Sequence, residues 1–267
     1  MVESITTIGT AAVVAYLSKD GVAKLLGPTA DYLGSELKHL VEKSQENVVK
    51  VFKKAERKLG DRLQIPGTVN PRVFRHVYDE ARFCESELLA EYFAGVLASS
   101  RTESGDDDRG VYYAQLVKSL SIHQIQFHYF FYYIIWKLSR GRAFDLNDHT
   151  GRTKLTVVIP AECYAATFGV TPSRKAESIV THSLSGLART DLIASDFLFS
   201  GPDVLRANGV NARAQSFKVS PTITGIELFL WVHGRGEETL NSFLGPDLVA
   251  EPDLKVIGDE SSVLRDG

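Results

Sequence analysis

Histidines and acidic residues near the middle of the chain have the clearest potential for metal chemistry. His123 and His128 stand five positions apart, whereas helical zinc-binding pairs stand four apart so that both rings share one face. Asp145, Asp148 and His149 cluster in a polar segment, but the glycine-framed pattern of a calcium loop is missing. We therefore interpret the histidines as ordinary residues near a core and the cluster as a solvated turn, and we expect no metal site.

Nucleophilic chemistry has one candidate side chain. Cys84 precedes a predicted helix, where a thiol pKa can fall and favour the reactive thiolate. A catalytic nucleophile also needs a paired base, which the sequence does not place beside it. The chain contains no Walker loop, GxGxxG, GxSxG or HExxH motif. These observations predict a protein that is not an enzyme, uses no cofactor and acts by binding.

Basic side chains in residues 174–213 are candidates for contacts with DNA: Arg174, Lys175, His182, Arg189, Arg206 and Arg213. The first four lie on the polar side of a predicted helix, and the last two lie in a predicted hairpin loop. Side chains of this kind reach phosphates and base edges in a major groove. Four acidic residues interleave with them: Glu177, Asp191, Asp196 and Asp203. A clustered basic face is the usual nucleic-acid footprint, so a protein-binding role stays open beside DNA binding.

Aromatic side chains crowd the predicted helix at residues 122–138. A helix in a small domain needs one apolar stripe, and phenylalanines, isoleucines and Leu138 already fill it. Four large side chains must then point elsewhere: Tyr129, Tyr132, Tyr133 and Trp136. Because tyrosine and tryptophan suit partly wet interfaces, we expect self-association, with a symmetric homo-oligomer as the default. The alternative is a central helix that the rest of the chain surrounds.

The first half of the chain reads as helices. Apolar residues recur at helical spacing in residues 32–59, 85–99, 111–120 and 122–138. Gly27-Pro28 interrupts an earlier helical pattern. We expect a mainly α protein in which residues 1–140 form an α-helical domain.

The second half combines short strands with helices. Residues 155–159 alternate and are rich in β-branched side chains, which predicts a strand. Two helices follow, at residues 160–168 and 171–189, and then a hairpin of residues 197–199 with residues 216–219. Ser220-Pro221 begins a further helix. This order is that of a winged helix, so we expect residues 153–233 to form a winged-helix-like α+β module.

Charge and cysteine content indicate the cellular environment in which the protein works. The net charge is −3, yet residues 237–267 hold eight acidic residues against two basic ones, so we interpret residues 234–267 as an acidic, flexible tail. Two cysteines without CxxC spacing fit a reducing cytosol. We find neither a signal peptide nor a run of about 20 apolar residues, and we expect a cytoplasmic protein. The mixed-charge face of residues 36–62 leaves peripheral membrane contact open.

Four short stretches, which together span most of residues 22–233, carry motifs that resemble those of a known protein family. They are Leu25-Leu26-Gly27-Pro28-Thr29 to Gly34; Ile65-Pro66 with Pro71-Arg72-Val73; Glu87-Leu88-Leu89 to Ser99; and Ser183-Leu184 to Leu187 with Asp191-Leu192-Ile193 and Val219-Ser220-Pro221 to Gly225. In these stretches the chain resembles the abortive-infection alpha (Abi-alpha) family of bacterial proteins. Phe93 stands where that family often has tryptophan, and the acidic tail is not part of its pattern.

The resemblance implies a bacterial role in anti-phage defence or growth arrest, and a degenerate winged helix in the fourth stretch. The expected function is therefore that of an abortive-infection protein that acts by binding rather than catalysis. Its expected partner is a protein encoded nearby or by the phage. The alternative is a DNA-binding winged-helix regulator.

Overall fold

The structure is a computed structural model that describes residues 41–171, 173–249 and 254–264. The predicted N-terminal helix, its break at Gly27-Pro28 and the first stretch of the family resemblance lie outside these residues. The described residues are mainly helical, as expected, with two small antiparallel sheets. Among them, no helix combines the length and apolar character needed to cross a membrane.

The chain divides into two compact units, and the division differs from the predicted domains. One unit contains the described residues up to Ser119 together with Trp231–Glu237. The second contains Leu120–Leu230 and the described residues from Glu238 onward. The aromatic helix predicted at residues 122–138 therefore belongs to the second unit, whereas we expected it in a domain that ended at residue 140.

Among its described residues, the first unit contains four α-helices. They are α1 (Val41–Leu59), α2 (Pro71–Ala81), α3 (Glu87–Ser99) and α4 (Gly110–Ser119). Strands β1 (Thr68–Val69) and β2 (Arg101–Thr102) pair antiparallel. Local sequence sets the starts of two helices. Asn70 caps α2: it directly precedes Pro71, and its side chain accepts a hydrogen bond from the Arg72 amide. Ser86 caps α3, because its hydroxyl accepts from the Leu89 amide.

Helix α3 is the central helix of the first unit. Its residues from Ala90 to Ser99 are all buried, as expected of a helix that is apolar nearly all round. Gly95 allows a close backbone contact, since a Cβ there would lie 2.0 Å from the carbonyl oxygen of Val232. Tyr113 of α4 stacks on Trp231 with ring centroids 4.5 Å apart.

The second unit contains six helices and a four-stranded sheet among its described residues. The helices are α5 (Ile122–Ser139), α6 (His149–Thr153), α7 (Ala161–Phe168), α8 (Arg174–Arg189), α9 (Pro202–Ala207) and α10 (Ile223–Val232, whose last two residues belong to the first unit). The strands are β3 (Val157–Pro160), β4 (Leu198–Ser200), β5 (Ser216–Val219) and β6 (Val263–Leu264). The order in the sheet is β4-β5-β3-β6, antiparallel throughout.

The segment predicted as a flexible tail is instead structured where it is described. Residues Leu240–Leu244 form a 3₁₀ helix, and β6 adds a fourth strand along β3, with Val263 opposite Val158. Lys137 contacts the buried Asp259 carboxylate at 2.5 Å. Backbone pairing and this ion pair hold an acidic segment whose composition alone indicated a solvated tail.

Helix α5 is buried, which corrects the predicted self-association surface. Tyr129 and Tyr132 are fully buried, Trp136 is nearly so, and Tyr133 is half-buried. Two of their polar atoms have partners within the unit: the Tyr132 hydroxyl donates to the Leu192 carbonyl at 2.8 Å, and Trp136 Nε1 donates to the Gly245 carbonyl at 2.9 Å. The alternative of a surrounded central helix is the one observed, because three of the four side chains are buried within their own chain.

Candidate nucleic-acid interface

Four of the candidate DNA contacts lie on helix α8. The opposite face of this helix packs against the rest of the unit. Ser173 caps its start, with Oγ accepting from the Ala176 amide at 3.1 Å. Along its inner face, Val180, Leu184 and Leu187 are buried. The opposite face is therefore fixed toward solvent by packing, as the spacing predicted.

The exposed face of α8 groups basic and hydroxyl side chains. Its exposed positions recur at spacings of one, three or four residues and so lie on one side of the helix; they are Arg174, Glu177, Ser178, Thr181, His182, Ser185 and Arg189. Lys175 is exposed beside them. Glu177 is the single acidic residue within α8. Guanidinium, ammonium and hydroxyl groups are the donors that proteins commonly direct at phosphate oxygens.

The arginines and the lysine of this face carry positive charge that no ion pair offsets. Within the described part of the chain, Arg174, Lys175, His182 and Arg189 form no ion pair. Cations on α1 behave differently, since Lys50 and Lys54 pair with Glu87 at 3.2 and 3.0 Å. An exposed and unneutralised set of cations is what an anionic partner requires.

Three of the four interleaved acidic residues are engaged elsewhere. Asp191, at φ 55°, turns the chain after α8, and its carboxylate accepts from the Thr224 hydroxyl at 2.8 Å. Asp196 pairs with Lys218, and Asp203 pairs with Arg206 at 3.1 Å. Most of the acidic residues that interleave with the basic ones along the sequence therefore lie away from the exposed face of α8.

The predicted wing loop contains a short helix and its own apolar cluster. Helix α9 occupies the start of the loop, and Leu205, Val210 and Ala212 pack on Val158 of β3. Arg206 and Arg213 are both exposed. Because Arg206 is paired with Asp203, Arg213 is the better placed of the two for an external anion.

Two of the remaining candidate side chains, His128 and Cys84, are buried. His128 is fully buried and donates from Nε2 to the Gly225 carbonyl at 3.1 Å; burial lowers its pKa to about 3. Burial likewise raises the pKa of Cys84 to about 12, so its thiol is not activated. Asp145 accepts from the amide of Asn147. In the described residues, no three His, Cys, Asp or Glu side chains are grouped so as to hold a metal ion.

A groove with several charged residues in its lining lies beside the end of α8 and was not predicted from the sequence. It has a volume of about 820 Å³ and includes Arg152, Lys154, Asp196 and Lys218 in its lining. Lys218 lies in strand β5 between the apolar residues Phe217 and Val219. A charged residue inside an apolar strand was the feature of the sequence that could have indicated this groove. Its partner Asp196 is 22 positions away, and no local pattern identifies such a pair.

Comparison with family models, with curated proteins and with solved structures gives no match for this chain.

Proposed function

We propose that the second unit contains a winged-helix module. The order of its elements supports this: β3, then helices α7 and α8, then β4 and β5 joined by the loop that holds α9. The pairing supports it too, because β5 lies between β4 and β3, which brings a strand that precedes the helix pair beside the hairpin that follows it. In such a module the second helix of the pair is the one that reads a groove of the duplex.

We further propose that this module binds duplex DNA through the exposed face of α8. The observation that carries the proposal is the set of exposed cations Arg174, Lys175 and Arg189, none paired with a described carboxylate, beside the hydroxyls of Ser178, Thr181 and Ser185. Contacts of this kind add affinity by releasing condensed counterions. Arg213 in the wing would add one contact outside the helix.

Fluorescence anisotropy with a labelled duplex tests this proposal. We expect binding at low salt that weakens steeply as salt rises, since each neutralised phosphate contributes roughly 0.9 to the slope of log K against log salt. The variant Arg174→Ala/Lys175→Ala/Arg189→Ala should lose affinity and reduce that slope by about 2 to 3. The control Lys53→Ala/Arg75→Ala/Arg142→Ala removes three exposed cations elsewhere and should leave the slope nearly unchanged. No binding at low salt, or equal binding by both variants, would reject the proposal.

A second candidate function is anti-phage defence in the bacterial cytoplasm, by binding and not by catalysis. The resemblance to the abortive-infection alpha family supports it, and the stretch that carries much of this likeness forms α8, the turn at Asp191 and the start of α10. The proposed partner is a protein encoded nearby or by the phage.

The test of this second candidate is expression with and without phage, scoring plaques and host growth together. Normal plaques over a broad phage panel, without growth arrest, would remove this candidate. The alanine variant of α8 then shows whether defence depends on DNA binding.

A further inference from the structure

The groove beside the end of α8 is lined by more cations than acids. It lies between α6, the turn that follows α8, and the connection from β5 to α10. Its charged lining consists of Arg152, Lys154 and Lys218 against Asp191 and Asp196, with His149 at the edge. The Asp191 carboxylate is already hydrogen-bonded to the Thr224 hydroxyl. The groove therefore holds an excess of positive charge.

Lys218 is the unusual member of this lining, because it is a nearly buried ammonium. Its side chain is 8% exposed, and Nζ contacts the Asp196 carbonyl at 3.1 Å as well as the Asp196 carboxylate. A buried charge is costly unless it is paired and hydrogen-bonded. The Asp196 side chain that pairs with it is 63% exposed, so the counterion of a buried cation comes from the solvent side of the groove.

Arg152 and Lys154 bring two further cations without a carboxylate partner in the described chain. Arg152 is held in place because Nη1 donates to the carbonyls of Leu146 and Asn147 at 2.7 and 2.9 Å. Lys154 is exposed. The hydroxyls of Thr150 and Ser195 line the same groove and have no hydrogen-bond partner among the described residues.

We propose that this groove binds a phosphate group, which takes the place of the Asp196 carboxylate on Lys218. Phosphate offers several acceptor oxygens and carries more charge than one carboxylate, so it satisfies a fixed guanidinium, ammonium groups and hydroxyls together. Two sources share this chemistry: a free phosphate compound, or a backbone phosphate of a duplex. The groove starts at Asp191, two residues after Arg189, so a duplex on α8 would pass close to it. Binding of free phosphate does not depend on the proposed DNA binding.

Calorimetric titration of the full chain in phosphate-free buffer, with sodium phosphate and with ATP as probes, tests the free-phosphate source. Asp196→Asn removes the competing carboxylate and should tighten binding several-fold. Lys154→Gln should weaken it several-fold, and the exposed control Lys53→Gln should not change it. Lys218→Met should abolish binding. Because that variant alters a buried position, the exposed Lys154→Gln keeps the test decisive even if Lys218→Met does not fold.

Anisotropy on a duplex tests the second source with the same variants. Saturable binding of phosphate or ATP that Lys154→Gln weakens assigns the groove to a free compound. Loss of DNA affinity in Lys154→Gln, without binding of either small probe, assigns it to a backbone phosphate. No saturable binding of the small probes together with unchanged DNA affinity would overturn the proposal, as would equal affinities in all variants. Loss of DNA binding in the triple alanine variant of α8, with phosphate binding retained, would separate the groove from the interface.

Discussion

Gly186 of α8 packs directly against the amide of Gln124 in α5. A Cβ built on Gly186 would lie 1.7 Å from Gln124 Nε2. The other end of that amide is occupied, because Gln124 Oε1 accepts from the Ser121 amide at 2.7 Å and completes the capping box of α5. One glycine therefore sets how closely the candidate DNA-binding helix approaches the central helix of its unit.

Gly186→Ala should destabilise the protein and disturb α8. The added methyl must displace an amide that is buried and capping a helix, so we expect a loss of roughly 1–3 kcal/mol. Urea denaturation gives the free energy of unfolding. Ser185→Ala, one position away and exposed, is the matched control and should change it by less than about 0.5 kcal/mol. Equal stability of the two variants would show that Gln124 moves aside freely.

Tyr132→Phe should destabilise the second unit although it removes one atom. The hydroxyl donates to the Leu192 carbonyl at 2.8 Å and accepts from the Thr222 amide at 3.1 Å. Without it, two backbone groups lose their partner, at roughly 1–3 kcal/mol for each buried group. Tyr133→Phe removes a hydroxyl from a half-buried neighbour and should have little effect. Hydrogen exchange at the Thr222 amide should accelerate in the first variant alone; unchanged exchange there would contradict the assignment.

Glu91→Gln should weaken the first unit strongly and alter its response to acid. Glu91 is 3% exposed and contacts Lys54, Arg57 and Lys58 at 2.6, 2.6 and 2.8 Å. Burial alone would raise the pKa of this carboxyl, but the ammonium groups of Lys58 and Lys54 lower it to about 2, against an ordinary 4.5. Breaking such a buried cluster costs roughly 3–5 kcal/mol.

The sign of the pH effect follows from that lowered pKa. The carboxylate contributes stability above about pH 4.5 that is lost as pH falls toward 2. Urea melts between these values should show a smaller loss of stability in Glu91→Gln than in the parent protein. Glu87→Gln serves as the control, since Glu87 is 69% exposed and exposed pairs contribute about 0–1 kcal/mol. A parallel decline in all three proteins would remove Glu91 as the cause.

His128 should make the protein less stable in mild acid. Burial lowers its pKa to about 3 from the ordinary 6.5, so between these values the unfolded chain binds a proton that the folded chain does not, and stability falls as pH falls. His128→Phe should flatten this part of the stability curve. NMR of the imidazole checks the cause directly: titration of the folded-state ring near pH 6.5 would contradict the burial argument.

Several elements of the second unit, α8 among them, were predictable from local sequence. The helix predicted at residues 122–138 is observed as Ile122–Ser139, and the predicted strand at residues 216–219 is Ser216–Val219. Caps and periodicity act within a few residues: Ser121 and Ser173 cap α5 and α8 through their own hydroxyls. The exposed face of α8 was predictable for the same reason, because an amphipathic helix has one face to bury.

Tertiary structure alone decided what such local rules leave undetermined. A helix that is apolar on every side, such as α5, has no pattern to say whether Tyr132 and Trp136 meet a second chain or the rest of their own. The acidic segment that ends in β6 is held by pairing with β3, about a hundred residues earlier in the chain. The charges of Lys218 and Glu91 are balanced by residues 22 and 37 positions away, Asp196 and Lys54. Burial and ion pairing depend on which elements meet in space, and periodicity along the chain does not contain that information.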